Sequence, residues 1–413
     1  MLNRLKGLRT NENVLLAVDA LLHSKSAFLS TFLMTFMIRT SIDNSPAEFI
    51  AYRLLSYVGM AILAILLLQF VKKRTLIAWR LGMLFSIIRV LTIIMLHTET
   101  TIFPFVLALV AAIESTLYWR PGMFFLISEV RNDRRLRFQS IRQVITDSIK
   151  IIMPIFLGLT ITEAGYITAA FVILGISVVQ FLLSILFRPS RSIDFPTHRA
   201  SVTIRKFVNS QPLRRILYLQ FFRGMIISGS AFLVIPPLLV YQQTGSDFDL
   251  GLFASIGAII AIAINLTFRR ISRFKRVARA FLWVLAPLAI IFSTALVVFP
   301  SNITAIILYI YTVAIIESFF EMFVMGRVQR SIKKQLSGNN SFTLEIESVS
   351  EVFLCTGRVI SLSALLFFIA NTGLTHLPIF VAVSALFIIP VVILSKSKKP
   401  LPEEELPIEE PIP

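Results

Sequence analysis

Several ionisable side chains lie inside long apolar stretches of this sequence, where their types and spacing could support chemistry. Asp19 and His23 are four residues apart, which places them on one face of a helix. A carboxylate in a dry site can bind and release a proton when its access to water changes. Glu317 and Glu321 have the same spacing, and two such acids repel unless one is protonated or a cation lies between them. With Glu114, the four acids are our proton-coupling candidates, and the alternative for each is a structural ion pair.

Cations also fall inside the apolar stretches. Lys25, Lys150 and Arg358 lie near the middle of theirs, where together they could cradle an anionic or sugar-like ligand. The alternative is pairing with nearby acids, Lys150 with Asp147 and Arg358 with Glu351 or with an acid on another helix. The ligand-cavity candidates are Lys25, Tyr118, Asp147, Lys150, Arg223, Glu351 and Arg358.

A charge in the middle of a bilayer costs at least about 2.5–3.5 kcal/mol, so it should face the interior of a helix bundle and have a partner or a function. We therefore expect each charged candidate named above to face the interior of a helix bundle. For Arg53 and Arg89 we expect instead that the long side chains extend toward the outer surface, and we assign them no role.

Enzymatic and metal chemistry have no support in the sequence. There is no phosphate-binding G-x-x-x-x-G-K-[ST] loop and no H-E-x-x-H motif. The four histidines are far apart, and Cys355 is the single cysteine, so neither a disulfide nor a cysteine metal cluster can form within the chain. We therefore expect no enzymatic activity, no cofactor and no metal site.

Composition places the chain in a membrane. Of the 413 residues, 56% are apolar and only 15% are charged, whereas soluble domains carry about a quarter charged residues. The net charge of +17 does not indicate nucleic-acid binding, because most cations lie in short connections between apolar blocks. Each block is about twenty residues long, enough to cross the hydrocarbon core of a bilayer as a helix.

The blocks predict an all-α membrane protein with twelve transmembrane helices. The predicted spans are 14–38, 49–71, 76–96, 103–128, 138–161, 165–187, 216–241, 249–268, 278–299, 302–326, 347–369 and 375–395. Every second connection is rich in Arg and Lys, while the alternate connections contain Arg39 as their one cation. This bias predicts that both termini lie in the cytoplasm of a cell whose inner or plasma membrane holds the protein.

A long basic connection divides the predicted spans into two equal groups. We expect six-helix bundles at 1–187 and 216–395, a cytoplasmic linker at 188–215 and a disordered acidic, proline-rich tail at 396–413. A weak repeat relates the bundles, since Ile113-Glu114-Ser115 and Ile316-Glu317-Ser318 occupy equivalent positions. The pattern favours a pseudo-twofold duplication. The first apolar block contains Asp19 and Lys25 and lacks a cleavage site, so we expect it to be retained.

This organisation resembles the major facilitator superfamily over about residues 10–395. Gly82 after Trp79-Arg80-Leu81, Pro154 and Gly158, and Gly357-Arg358 are similar to bacterial members. The sequence departs from the family after the second span, where the usual Gly and Asp are absent and only Lys72-Lys73-Arg74 remain. That acid normally helps to hold one conformation closed, so the resemblance implies a gate of different construction.

The resemblance implies a secondary transporter that moves a small solute by alternating access. Together with the intramembrane acids, it leads us to expect proton coupling, with export favoured over import, in a monomer whose partners are the bilayer and its solute. The runner-up is a lipid or glycolipid flippase, suggested by the many phenylalanines and the mixed charges. A third possibility is a membrane scaffold that has the transporter fold and moves nothing.

Overall fold

A computed structural model gives the architecture of the chain. It describes residues 10–41, 45–96, 102–130, 135–189, 211–226, 230–271, 275–299, 302–320 and 343–389. Within these ranges every regular element is helical, as the continuous apolar blocks require in lipid.

Residues 10–189 are called the first half. Its helices are α1 (Thr10–Ala27), a π-helical turn (Phe28–Phe32), α2 (Leu33–Thr40), α3 (Ala47–Leu66), α4 (Leu68–Lys73), α5 (Thr75–Leu96), α6 (Phe103–Ser128) and α7 (Arg135–Leu186). The last of these is interrupted at Gly165, where φ is +84°. The interruption falls at the edge of the gap between the predicted spans 138–161 and 165–187.

Residues 211–389 are called the second half. Its helices are α8 (Gln211–Ile226), α9 (Ala231–Thr244), α10 (Asp247–Ile271), α11 (Lys275–Val298), α12 (Ile303–Phe320), α13 (Thr343–Thr372), a 3-10 turn (Leu374–His376) and α14 (Leu377–Ala385). The predicted span 216–241 is therefore covered by two helices, α8 and α9.

Seven helical segments in the described ranges are long and apolar enough to cross a membrane. They include most of the first half, together with α10 and α13. Shorter apolar helices occupy Ile216–Ile226, Pro287–Val298 and Ile303–Ser318. The chain is thus an all-helical protein with many apolar spans, and the count of twelve crossings stays a prediction.

A π-helical turn interrupts the first span between α1 and α2. It covers Phe28–Phe32, and Phe28 and Phe32 are fully buried. The wider turn accommodates an extra residue relative to an α-helix, and such turns are frequent at functional sites. The turn follows Lys25, a buried cation, and precedes α2, whose last turn contains Arg39.

Many helices pack within their own half, and two helix pairs make most of the contacts between the halves. In the first half α1 packs on α7, and α5 packs on α6; in the second half α8 packs on α13, and α10 packs on α12. The joining pairs are α3 with α13 and α7 with α10. The two pairs are equivalent if the halves are exchanged so that α3 corresponds to α10 and α7 to α13; the repeat itself stays a prediction.

Candidate functional site: buried charges and the contacts between the halves

A cluster of buried charges lies inside the first half. The Lys25 ammonium on α1 donates to Glu114 Oε1 on α6 at 2.9 Å and also to the Ser86 hydroxyl on α5. Arg89 Nη1 donates to the other carboxylate oxygen, Glu114 Oε2, at 2.9 Å. Its Nη2 donates to the Tyr52 hydroxyl on α3. Glu114 thus neutralises two cations and ties four helices together.

Arg89 corrects a prediction from the sequence. Its guanidinium does not extend toward the outer surface but turns into the bundle, where Glu114 accepts its hydrogen bond. The reason is that an ion pair inside the bundle satisfies the charge at its own depth, so the side chain does not need to reach the interface. Arg53 has no carboxylate partner among these contacts. Its Nη1 donates to the Tyr57 hydroxyl at 3.3 Å, and its guanidinium lies over the Phe49 ring.

Tyr118 lies next to this cluster. The Lys25 ammonium is 5.5 Å from the centre of its ring, and Gln180 Nε2 is 3.5 Å from its hydroxyl. Tyr118 also lines a pocket in the first half together with Asp19 and Arg142. It therefore separates two ionic groups, that of Lys25 and that of Asp19.

Asp19 is held by a two-pronged ion pair. Arg142 on α7 donates from Nε and Nη2 to the two carboxylate oxygens, each at 2.8 Å. His23 Nε2 lies 3.7 Å from Asp19 Oδ2, on the face that their spacing predicted. The partner Arg142 was not among the sequence candidates, because nothing in the sequence relates positions 19 and 142. Protonation of Asp19 would remove the charge that binds Arg142.

The expected cradle of three cations is not assembled. Lys25 is engaged by Glu114, while Arg358 Nη1 donates to Glu351 Oε1 at 3.3 Å. Lys150 is exposed, and Asp147 accepts a hydrogen bond from Gln143 at 2.8 Å. The pairing of Arg358 with Glu351 was one of the two alternatives that the sequence left open.

The remaining candidates lie on the second half. Glu317 on α12 is half-buried, and Arg223 Nη1 on α8 donates to Gln220 Oε1 at 3.2 Å. Glu321 lies outside the described residues, so the pairing of Glu317 with Glu321 stays a prediction. In the described ranges no three His, Cys, Asp or Glu side chains converge in the manner of a metal site.

The halves meet through buried charges at the end of the bundle that contains Lys72, called the Lys72 end. Lys72, at the end of α4, donates to Glu345 Oε1 near the start of α13. Both side chains are fully buried, with exposed fractions of 1% and 0%. Lys72 belongs to the basic stretch Lys72-Lys73-Arg74 after the second predicted span, and its ammonium group contacts the other half.

Further along the same interface, α3 and α6 face a stripe of polar residues on α13. Arg120 on α6 is buried, donates to the Ala64 carbonyl at 2.8 Å and lies within electrostatic range of Glu347 and Glu351. The Arg358 guanidinium stacks on the Tyr57 ring of α3 at 4.6 Å from the ring centre. None of Arg120, Tyr57 and Glu347 in these cross-half contacts was among the sequence candidates.

At the opposite end, called the Asp247 end, a hydrogen-bonded network joins the halves. Arg39 Nη2 lies 2.8 Å from Asp247 Oδ2, and Arg39 Nε donates to the Tyr241 hydroxyl at 2.6 Å. The Tyr166 hydroxyl contacts both Asp247 and Thr35. From the sequence Arg39 was predicted only as a loop cation and Asp247 was not a candidate, because about two hundred residues separate the two positions and nothing in the sequence relates them.

Below this network the backbones of α7 and α10 approach closely. A Cβ atom on Gly251 would lie 2.4 Å from the Pro154 carbonyl oxygen, so only glycine fits there. Ser255 Oγ donates to the Ile151 carbonyl at 2.7 Å, one turn further along α10. Pro154 therefore lies where the two halves touch.

Comparisons with known proteins support the fold. No protein-family model matches the chain, and no curated protein sequence is recognisably similar to it. Among solved structures, an auto-inhibited POT family peptide transporter superposes with a TM-score of 0.72 at 11% identity, covering 96% of this chain and 99% of that one. A bacterial homologue of the iron transporter ferroportin superposes in its inward-facing state with a TM-score of 0.67 at 14% identity, covering 93% and 97%.

The same ferroportin homologue in its outward-facing state gives a TM-score of 0.66 at 14% identity, covering 94% of this chain and 98% of that one. The near-equal scores favour neither state. At these identities the likeness shows the fold alone. The chain is an all-helical, multi-pass membrane protein that shares the fold of these solved transporters.

Proposed function

We propose that this protein is a secondary transporter that moves a small solute across a cell membrane by alternating access. One observation carries the proposal: the two halves are joined at both ends of the bundle by separate polar contacts. Lys72–Glu345 lies at one end and Arg39–Asp247 at the other. Two such contacts allow a rocking motion in which one end opens while the other stays closed.

The proposal extends to coupling and direction. Proton binding drives the cycle, and export of the solute is favoured. Of the four acids proposed from the sequence, Asp19 is the best placed, because its one ionic partner, Arg142, is on another helix and His23 is beside it. Glu114 is less suited to carrying a proton, since its neutralisation would leave Lys25 and Arg89 without a counter-charge.

In the proposed orientation the Lys72 end faces the cytoplasm together with both termini. The membrane is the inner or plasma membrane, and the protein acts as a monomer. The halves that move are the bundles 1–187 and 216–395, with 188–215 as the linker and 396–413 as a tail outside the transport machinery.

The rocking motion can be tested without knowing the solute. Spin labels would be placed on exposed positions across each end, on Ala164 and Gln243 at the Asp247 end and on Val144 and Leu266 toward the Lys72 end. The single native thiol would be removed by Cys355→Ser. Distances would be measured in lipid nanodiscs over a range of pH and with a panel of solutes.

We expect the two distance distributions to change in opposite directions, one lengthening when the other shortens. Distances that stay fixed under every condition would contradict alternating access and favour a scaffold. A flippase would instead expose labelled lipid to a membrane-impermeant quencher in proteoliposomes. Coupling is tested by gradient-driven uptake in vesicles, which Asp19→Asn should abolish, with Glu163→Gln as an exposed acidic control.

A further inference from the structure

A cation and two acids face each other across the halves near the Lys72 end without being fully paired. Arg120, on α6 of the first half, is buried, and its one hydrogen bond goes to a carbonyl oxygen. In the described part of the chain no carboxylate oxygen lies within 4.0 Å of it. A buried guanidinium without a carboxylate partner carries a desolvation cost that a nearby acid would relieve.

The acids come from one face of α13. Glu347 and Glu351 are one turn apart, and two charged carboxylates at this spacing repel each other. Glu351 is held by Arg358 at 3.3 Å and by the Cys355 thiol at 3.5 Å. Glu347 accepts no hydrogen bond from any described residue, although it lies within electrostatic range of both Arg120 and Glu351.

Other charged groups near α13 are already engaged. Lys72 of α4 contacts Glu345, and Arg223 of the neighbouring α8 donates to Gln220. The charges that act on Glu347 are therefore Arg120 across the interface and Glu351 on its own helix. The first attracts the charged form of Glu347 toward the other half, and the second opposes it.

From this arrangement we infer that Glu347 is a proton-binding residue of the transport cycle. We infer further that Arg120 is the group whose attraction to Glu347 depends on whether Glu347 is charged. The inference deepens the proposed function and rests on it. With a charged Glu347, the carboxylate and the Arg120 guanidinium attract each other and hold α13 against α6. A proton bound by the Glu347 carboxylate removes that attraction, and the Lys72 end opens. The released proton returns to solvent when the end closes again.

The test is the pH dependence of the distance between labels on Val144 and Leu266. Between about pH 5 and about pH 8 the ratio of open to closed populations should change on the order of tenfold in the otherwise native chain. Glu347→Gln should abolish this dependence and keep the low-pH distribution at every pH. Glu347→Asp should restore it, because the shorter side chain still carries a titratable charge.

Controls separate this inference from the proposed function. Glu163→Gln, which neutralises an exposed acid at the other end, should leave the pH dependence unchanged. If the native chain alternates but Glu347→Gln retains the full pH dependence, the inference is wrong and the proposed function stands. If neither label pair responds to any condition, the proposed function itself has failed. Thermal unfolding of each variant checks that Glu347→Gln still folds.

Discussion

The two ends of the bundle are closed by different physical means. At the Lys72 end the contact is a fully buried ion pair, with an exposed fraction of 1% for the Lys72 side chain. At the Asp247 end the cation is Arg39, whose side chain is 44% exposed, and the contact also includes neutral hydroxyls and close backbone packing at Gly251. We therefore expect charge state to control closure of the Lys72 end and shape complementarity to control closure of the Asp247 end.

Breaking the buried pair should have the largest effect. In Lys72→Met the Glu345 carboxylate is left buried without its partner, which typically costs about 3–5 kcal/mol in the free energy of unfolding. Thermal unfolding in detergent measures the loss. The neighbouring exposed Lys73→Met is the control and should change the free energy of unfolding by no more than about 0.5 kcal/mol. Equal melting temperatures for the two variants would refute a buried ionic closure.

Filling the backbone contact at the other end should come next. In Gly251→Ala the new methyl group meets the Pro154 carbonyl, and overpacking of this kind costs about 1–3 kcal/mol. The distance between labels on Ala164 and Gln243 should lengthen at the same time. Gly257→Ala on the same helix is the matched control, because its methyl would lie 3.9 Å from its nearest neighbour, the Ala314 Cβ. A steric closure is excluded if both alanines behave alike.

Removing one cross-half hydrogen bond should have a smaller effect. Ser255→Ala deletes the donor to the Ile151 carbonyl, which should cost about 0.5–1.5 kcal/mol of unfolding free energy. Thr267→Ala serves for comparison, since the Thr267 hydroxyl bonds only within its own helix. A loss for Ser255→Ala no greater than that for Thr267→Ala would show that this bond does not stabilise the contact between α7 and α10.

The pair of the half-exposed Arg39 with the buried Asp247 should matter least, because the Tyr166 hydroxyl still contacts Asp247 when Arg39 is replaced, and it should respond to salt. Arg39→Gln should cost about 0.2–1 kcal/mol at low ionic strength, because water screens the pair with Asp247. At about 1 M salt the difference from the native chain should shrink further, while that of Lys72→Met should persist. Melting temperatures at both ionic strengths provide the measurement. A salt-independent effect of Arg39→Gln would mean that the two closures are alike after all.

The sequence was sufficient to predict where helices form but not which residues contact each other between them. Apolar blocks place helices well, and the break near Gly165 fell where two spans were expected to meet. Contacts such as Lys72–Glu345 and Asp19–Arg142 join positions far apart in the chain, and one sequence contains no signal for them. The departure after the second span led us to expect a gate of different construction, which stays a prediction, and it did not indicate which residue Lys72 contacts.

The sequence alone could have marked Glu347 as a candidate. Its spacing from Glu351 is the same four residues that drew attention to Glu317 and Glu321. It lies at the boundary of the predicted span 347–369, where a charge is ordinary, so its position alone does not mark it as a candidate. The prediction that Arg89 extends toward the outer surface was wrong for a related reason. It was based on the length of the side chain, and the sequence does not indicate that Arg89 pairs with Glu114.

The π-helical turn at Phe28–Phe32 has a geometric consequence for the first span. An α-helix advances by about 100° per residue, so one residue more or fewer turns everything beyond it through that angle. The wide turn absorbs one such additional residue, because it winds by less than about 100° per residue. The segment Leu33–Thr40, which contains Arg39, therefore keeps its orientation toward Asp247, whereas deleting a residue from the regular winding of Leu33–Ile38 would rotate Arg39 away from Asp247 without altering either side chain.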